Sequence, residues 1–204
     1  MEHPGSFGNM VDLYSLNNRV YFESASDYPN DYRGVKWTSA ESQFIRFKVL
    51  CDIADDIFSS DILDVGCGLG HLVDYLKNNQ FTGTYYGIDI VAQMILNAKK
   101  RHPAFHFECN DIDSIGENQH EYVLASGIFA LTDAKQTKSL IPSLFACAKK
   151  GLAFNCLSSL AEEKEEGMHY HIPGDIYHFC KQFTPRVTLR KDYIQHDFTI
   201  YMHK

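Results

Sequence analysis

The spacing of hydrophobic and polar residues along this chain changes from one segment to the next. From Asp61 onward, short runs of β-branched and aromatic residues alternate with stretches whose apolar residues share one helical face. The short runs predict buried strands, and the longer stretches predict amphipathic helices. Regular alternation of the two predicts parallel βαβ units, in which helices cover both faces of a sheet.

Seven strands are expected from these runs. Five are expected to be parallel, and most of them are joined through helical stretches; they are DILDVGC, TYYGIDI, AFHFECN, EYVLASG and GLAFNCLSS. The last two, RVTLRKDY and FTIYMHK, are separated by a short connection, which is typical of an antiparallel hairpin. The expected fold is a doubly wound α/β fold with a seven-stranded, mostly parallel sheet and a C-terminal antiparallel hairpin.

The part of the chain before the first strand differs in composition. Residues 1–37 are rich in Tyr, Asn, Asp and Ser and are expected to form an irregular arm. Thr38 and Glu41 have the spacing of a capping box, which predicts that an N-terminal helix over 38–58 begins here. A length of 204 residues favours a single domain. That domain, 1–204, is expected to contain the arm, the helix, a core over 61–204 and, within the core, a lid-like segment over 160–180.

Composition and charge narrow the class of protein. The chain has 19 Lys and Arg against 26 Asp and Glu, a formal charge of −7, with no dense basic block. Since binding to nucleic-acid phosphates usually needs such a block, a nucleic-acid partner is disfavoured. The six cysteines contain no C-x-x-C pair and are expected to be reduced, mostly buried thiols rather than metal ligands. No signal peptide or membrane-spanning run is visible, so a cytoplasmic protein without a membrane partner is predicted.

The strongest chemical signal is the segment ILDVGCGLGHL, in which Gly66, Gly68 and Gly70 follow the first strand. Glycine permits backbone conformations that other residues rarely adopt, and it lets a ligand approach the main chain. In an open parallel sheet, ligands bind beyond the carboxyl ends of the strands. The alternative is a tight strand-to-helix turn that binds no ligand. Acidic residues at neighbouring strand ends distinguish a ligand-binding loop from such a turn.

Carboxylates lie at three successive strand ends. Asp89 closes the second strand, where its oxygens can accept hydrogen bonds from both hydroxyls of a ribose. Asp111 follows the third strand, where it can receive an adenine amino group. Asp64 precedes the glycine loop, and a carboxylate there favours an ammonium group over a pyrophosphate. The G-x-G-x-G spacing, with His71 in place of a further glycine, also departs from dinucleotide loops. Together these features indicate a nucleoside with a cationic amino-acid tail, a description that S-adenosylmethionine meets.

The segments LDVGCGLG, GIDI and NDI resemble those of the seven-stranded, class I S-adenosylmethionine-dependent methyltransferases, and the resemblance covers residues 39–204. It implies the strand order 3-2-1-4-5-7-6 and methyl transfer with S-adenosylhomocysteine as product. It further implies a set of cofactor-binding residues: Asp64, Gly66, Cys67, Gly68, Gly70, Asp89, Ile90, Asp111, Ile112, Ser126 and Gly127. Arg46, on the N-terminal helix, is a candidate partner for the cofactor carboxylate, the alternative being an exposed arginine on an amphipathic helix.

The acceptor is expected to be a small molecule. Neither the N/D-P-P-Y/F motif of base-directed methyltransferases nor the paired-glutamate loop of protein arginine methyltransferases follows the fourth strand. Acceptor contacts are expected from segments outside the sheet, with Tyr28, Trp37, Gln43 and Tyr170 as candidates. For proton transfer the candidates are Tyr170, His171 and His169, although ordinary loop histidines are the alternative. No metal site is predicted, because these histidines lack a visible further ligand.

Two other functions stay open at this point. A protein of the methyltransferase fold that binds the cofactor without catalysis, as a partner in a complex, would carry the same motifs. A nicotinamide-dependent oxidoreductase would share the fold, but the glycine spacing argues against it. The acceptor atom and the oligomeric state have no signature in the sequence.

Overall fold

The computed structural model describes residues 21–29, 31–35 and 39–204. Within this part of the chain the strands form one seven-stranded sheet in the order β3-β2-β1-β4-β5-β7-β6. The strands are β1 Asp61–Val65, β2 Thr84–Asp89, β3 His106–Cys109, β4 His120–Ala125, β5 Ala148–Leu157, β6 Val187–Arg190 and β7 Asp197–His203. Among these strands, β7 is antiparallel to both of its neighbours, β5 and β6, and the other neighbouring pairs are parallel. The predicted fold class, strand order and C-terminal hairpin are confirmed.

Helices cover both faces of this sheet. They are α1 Ala40–Cys51, α2 His71–Asn78, α3 Ala92–Arg101, α4 Ala134–Cys147 and α5 Pro173–Cys180. The first three bury apolar side chains in one core cluster, and the last two do so in a cluster on the opposite face. No helix in the described residues is long and apolar enough to cross a membrane. Five of the six cysteines are buried and all are unpaired, as predicted.

The N-terminal helix is shorter than the predicted 38–58. The N-cap is Ser39, whose Oγ accepts a hydrogen bond from the Ser42 N–H at 3.0 Å, so the predicted Thr38–Glu41 capping box is wrong. Thr38 itself lies outside the described residues. The helix ends at Cys51 because the chain then turns so that Ile53 and Ile57 enter the same apolar cluster.

The segment before α1 is also more regular than predicted. Residues 21–27 are helical and Tyr32–Val35 form a 3₁₀ turn, so the irregular arm is wrong for this part. Ala25 is completely buried against the glycine loop and α3, and its carbonyl accepts a hydrogen bond from Asn97 Nδ2 at 3.0 Å. These contacts place the segment over the carboxyl ends of the central strands.

The predicted lid-like segment 160–180 consists of a loop followed by helix α5. Pro173 occupies the first turn of that helix, where its fixed φ and missing N–H are tolerated. Ile176 and Cys180, one helical turn apart, are buried in the core cluster beneath it. The second half of the segment is therefore part of the core, and only the loop is in a position to contact a ligand.

Candidate active site

The glycine loop between β1 and α2 depends on left-handed backbone conformations. Gly66, Gly68 and Gly70 have φ values of +74°, +53° and +76°. The N–H groups of Gly66 and Cys67 both donate to the Ile88 carbonyl of β2, at 2.8 and 3.0 Å. The loop is thereby fixed against the end of the neighbouring strand, with its backbone facing the carboxyl edge of the sheet.

The carboxylate of Asp89 connects two backbone segments at this edge. Its Oδ2 accepts a hydrogen bond from the Gly68 N–H, and its Oδ1 accepts one from the Val91 N–H, both at 2.9 Å. Burial raises the pKa of Asp89, and these backbone N–H groups oppose the rise. Since each carboxylate oxygen has two lone pairs, both oxygens keep capacity for a further donor such as a ribose hydroxyl.

Asp64 is the most deeply buried acid of the site. Its side chain is only 3% exposed, and its Oδ2 accepts a hydrogen bond from the Tyr85 hydroxyl at 2.7 Å. Burial raises the pKa of Asp64 to about 7, and the nearby charge of Asp89 adds to the rise. A cation brought next to this carboxyl would favour its ionised form.

These groups line a cavity of about 180 Å³ at the carboxyl edge of the sheet, here called the nucleoside cavity. Every residue of the predicted cofactor set lines it except Gly70 and Arg46. Asp111 also caps the turn that follows β3, where its Oδ1 accepts a hydrogen bond from the Asp113 N–H at 3.0 Å. Several lining residues were not predicted: Tyr21, Phe47, His71, Val91, Met94, Asn110 and Thr132.

The end of β4 forms the boundary of the nucleoside cavity. Gly127 has a φ of +78°, and its N–H donates to Asn155 Oδ1 at 2.9 Å. The Asn155 amide also donates to Ser126 Oγ at 3.3 Å. Asn155, a buried residue of β5, was missed by sequence reasoning because it lies within an apolar strand run and follows no strand end.

A second cavity of about 360 Å³, here called the acceptor cavity, adjoins the first. The two share Tyr21, Val35 and Gly127 as lining residues. Loop residues Met168 and Tyr170 form part of its wall together with the end of β5. The turn after β4 therefore separates a cavity lined by strand-end carboxylates from a larger one walled by the loop over 158–172.

The residues predicted to contact the acceptor do not lie together in one cavity. Tyr170 lines the acceptor cavity, and its hydroxyl accepts a hydrogen bond from the Glu165 N–H at 2.7 Å. Gln43 lines the nucleoside cavity instead, and its Nε2 lies 3.2 Å from His71 Nδ1. Tyr28 lines neither cavity, because its ring packs under the Arg33 guanidinium at 4.3 Å. Trp37 lies outside the described residues.

Two of the candidate proton-transfer residues also lie outside both cavities. His171 is buried, and its Nε2 is 3.1 Å from the Phe129 carbonyl, to which it donates. Burial lowers the pKa of His171, so this histidine is neutral. Its hydrogen bond to the Phe129 carbonyl holds the loop against the turn after β4. His169 is exposed and its backbone N–H donates to the Ala130 carbonyl. Among the described residues, no cluster of three or more His, Cys, Asp or Glu side chains is placed to hold a metal ion.

The position of Arg46 agrees neither with a partner for the cofactor carboxylate nor with an exposed arginine. It is 3% exposed and forms an ion pair with Asp197 of β7, which is also buried. Its Nη2 lies 3.3 Å from Nε2 of His196, and all three side chains line the acceptor cavity. Arg46 is therefore neither an exposed arginine nor a lining residue of the nucleoside cavity. His196 was not predicted as a site residue.

Comparison with known proteins places this geometry in a family. A family model of the methyltransferase domain matches residues 62–151, the stretch that contains the glycine loop and the ends of β1 to β4. Rv1506c of Mycobacterium tuberculosis, described as a methyltransferase, is 32% identical over 166 residues, which are 74% of this chain and 96% of that protein. The chain therefore belongs to the class I, S-adenosylmethionine-dependent methyltransferases, and the oxidoreductase alternative is excluded.

Two further proteins are similar over different extents. Trans-aconitate 2-methyltransferase of Variovorax paradoxus is 31% identical over 90 residues, which are 44% of this chain and 35% of that enzyme. Magnesium protoporphyrin IX methyltransferase from Synechocystis PCC 6803, solved with bound S-adenosylmethionine, has the same fold, with a TM-score of 0.70. The two sequences are 14% identical, and the structural match covers 99% of this chain and 100% of that enzyme's chain.

Proposed function

We propose that this protein transfers the methyl group of S-adenosylmethionine to a small-molecule acceptor at the junction of its two cavities. The observation that carries the proposal is that a cavity with three strand-end carboxylates opens beside a larger one, with Gly127 lining both. Bound S-adenosylmethionine supplies a methyl carbon made electrophilic by a cationic sulfur. What the protein adds is alignment of acceptor and methyl group in a site that excludes water.

Each acid of the nucleoside cavity receives a part of the cofactor in this proposal. Asp89 accepts hydrogen bonds from the ribose hydroxyls, and Asp111 lies at the adenine edge. Asp64 neutralises the ammonium group of the methionine moiety. The support for these roles is that all three side chains line one cavity together with the glycine loop. The alternative of cofactor binding without catalysis is tested by formation of S-adenosylhomocysteine when the protein is incubated with S-adenosylmethionine and a metabolite extract.

A small acceptor agrees with the size of the acceptor cavity and with the relatives. A volume of about 360 Å³ is within the range of small-molecule sites. The two similar enzymes are named for trans-aconitate and for magnesium protoporphyrin IX, both of which are small molecules. The net charge of −7 and the absence of a dense basic block in the sequence also disfavour a nucleic-acid acceptor.

The role of Asp64 predicts a pH dependence of S-adenosylhomocysteine binding. Since burial raises the pKa of Asp64 to about 7, acid protonates it and removes the charge that the ammonium group needs. An α-amino group, with a pKa of about 7.7–8.0, stays charged throughout this range. Affinity measured by calorimetry is expected to fall about tenfold as the pH is lowered from about 7 to about 5.5, by a linkage of up to tenfold per pH unit.

The matched control for this experiment is Asp64→Asn, which cannot ionise. It is expected to bind more weakly at neutral pH and to lose most of the pH dependence. The His71 imidazole of the same cavity does not interfere, because burial lowers its pKa to about 4. A parent protein whose affinity is constant over this range, or an Asn variant with the same slope, would show that Asp64 does not pair with the ammonium group.

Because the loop over 158–172 lines only the acceptor cavity, a substitution in it is expected to lower turnover without changing the affinity for S-adenosylhomocysteine. Tyr170→Ala is expected to lower S-adenosylhomocysteine formation with a metabolite extract about tenfold. The reason is that loss of one side chain of the cavity wall weakens the binding energy that positions the acceptor by about 1.4 kcal/mol. Affinity for S-adenosylhomocysteine is expected to stay unchanged, since Tyr170 lines only the acceptor cavity. The control is Tyr177→Ala on α5, a partly buried ring outside both cavities. Equal loss of cofactor affinity in Tyr170→Ala would contradict the assignment.

A further inference from the structure

The junction of the two cavities is bordered by the segment before α1 and by the turn after β4. Of the residues that the structure describes, three line both cavities: Tyr21, Val35 and Gly127. Val35 has an apolar side chain and Gly127 has none. Tyr21 is therefore the residue shared by both cavities whose side chain can form a hydrogen bond with the reacting groups.

The hydroxyl of Tyr21, and not only its ring, lies near this junction. Burial raises the pKa of Tyr21 to about 12, and the negative charges of Asp89 and Glu165 add to the rise. Asp89 lines the nucleoside cavity, and Glu165 lines the acceptor cavity. Because the effect of a charge on a pKa weakens with distance, a hydroxyl that responds to both charges lies close to the boundary between the cavities.

Packing of the helical segment over 21–27 fixes the position of Tyr21. Ala25 lies four residues further along, on the same face of this helix, and is completely buried. Its carbonyl accepts a hydrogen bond from Asn97 Nδ2 at 3.0 Å. Tyr21 and Ala25 belong to one apolar cluster with residues of the glycine loop and of α3. The hydroxyl is thus held by the same elements that surround the nucleoside cavity.

The Tyr21 hydroxyl offers a neutral oxygen to a ligand. With a pKa of about 12 it keeps its proton near neutral pH, so it is not a general base. It forms no hydrogen bond with another residue in the described part of the chain. The lone pairs of its oxygen are therefore available to a ligand that presents a donor or a positive charge.

The cofactor and its product differ at one place only. S-adenosylmethionine has a cationic sulfur that bears a methyl group, whereas S-adenosylhomocysteine has a neutral sulfur without it. Carbon atoms bonded to a cationic sulfur carry part of its charge, so their hydrogens form weak hydrogen bonds to oxygen. The ammonium, ribose and adenine groups proposed to contact Asp64, Asp89 and Asp111 are common to both compounds. These acids therefore do not contact the part that changes.

We propose that the hydroxyl oxygen of Tyr21 contacts the methyl-bearing sulfur end of bound S-adenosylmethionine, and that this contact distinguishes the cofactor from its product. This inference rests on the proposed function. The contact holds the methyl group at the junction of the two cavities before transfer. It is lost with the charge when the methyl group has left, which favours release of S-adenosylhomocysteine.

Isothermal titration calorimetry with three ligands tests this contact without knowledge of the acceptor. The ligands are S-adenosylmethionine, S-adenosylhomocysteine and sinefungin, in which a carbon bearing an ammonium group replaces the methyl-bearing sulfur. Tyr21→Phe keeps the ring and removes only the hydroxyl. It is expected to weaken sinefungin binding about ten- to hundredfold, because a hydrogen bond to a charged group is lost. S-adenosylmethionine is expected to bind about two- to fivefold more weakly, the range of a weak C–H···O contact, and S-adenosylhomocysteine as in the parent.

Tyr28→Phe is the matched control. It removes a hydroxyl from the same segment of the chain, but Tyr28 lines neither cavity. This variant is expected to bind all three ligands as the parent does. Circular dichroism checks that both variants are folded.

The outcomes separate this proposal from the one on which it rests. If the parent protein does not bind S-adenosylhomocysteine, the proposed function itself fails. If the parent binds it, equal weakening of all three ligands in Tyr21→Phe would show that the hydroxyl contacts a group common to them, and the proposal would be overturned. Parental affinity of Tyr21→Phe for sinefungin would overturn it as well, since the hydroxyl then makes no contact at the sulfur position.

Discussion

Asp89→Ala is expected to weaken S-adenosylhomocysteine binding about ten- to hundredfold, because hydrogen bonds to a charged acceptor contribute about 1.5–3 kcal/mol each. The substitution removes the acceptor that we propose for the ribose hydroxyls and also the bond that fixes the Gly68 N–H. Water replaces part of the loss, which keeps the effect below the sum of two bonds. Isothermal titration calorimetry with S-adenosylhomocysteine measures the change, and circular dichroism checks the fold.

Two further variants make this result specific. Asp89→Asn keeps one acceptor oxygen without the charge, so its loss of affinity is expected to be smaller. Asp113→Ala removes an exposed carboxylate that lies near the same strand ends but outside the nucleoside cavity, and it should bind as the parent does. A folded Asp89→Ala variant with parental affinity would show that Asp89 is only a turn residue, and the nucleoside assignment would lose its main support.

The fold and the nucleoside cavity could be predicted because their signals are local. A strand followed by glycines needs only a few consecutive residues to be recognised, and Asp64, Asp89 and Asp111 each follow from their position at a strand end. In a parallel sheet the carboxyl ends of adjacent strands meet at one edge, so residues far apart in sequence converge without further information. The structure accordingly brings all three acids to the lining of one cavity.

The acceptor cavity could not be predicted in the same way. Arg46 and His196 are 150 residues apart, and their contact depends on where α1 packs relative to β7. Neither position has a sequence signal, because an arginine on an amphipathic helix is usually exposed and a histidine in a turn is usually solvated. His171 is the converse case: its loop position suggested chemistry, yet tertiary packing buries it against the Phe129 carbonyl.

The N-terminal segment shows the same limit. Its polar composition predicts irregular structure, but Ala25 and Tyr21 adopt helical backbone because they pack over the glycine loop and α3. Tyr21 lines both cavities, and burial raises the pKa of its hydroxyl to about 12, so it is a neutral wall residue. Helix formation here is a consequence of tertiary contacts rather than of local propensity.

Gly66→Ala is expected to lower S-adenosylhomocysteine affinity about a hundredfold, equivalent to about 2.7 kcal/mol. Gly66 has a φ of +74°, and a Cβ at this position would lie 2.2 Å from Cγ2 of Ile128. Ile128 lines the nucleoside cavity, so relief of the contact must push its side chain into the ligand's space or move the loop away from β2. The second response would break the hydrogen bond from the Gly66 N–H to the Ile88 carbonyl.

Gly167→Ala is the matched control, because it has the same backbone requirement without the close contact. Its φ is +82°, and no described atom lies within 4 Å of the added Cβ. Left-handed backbone costs an alanine about 1–2 kcal/mol at either position, so both variants are expected to unfold at lower denaturant concentration. Only Gly66→Ala is expected to lose ligand affinity as well. Parental affinity in a folded Gly66→Ala variant would show that the loop can move at this position without disturbing the cofactor.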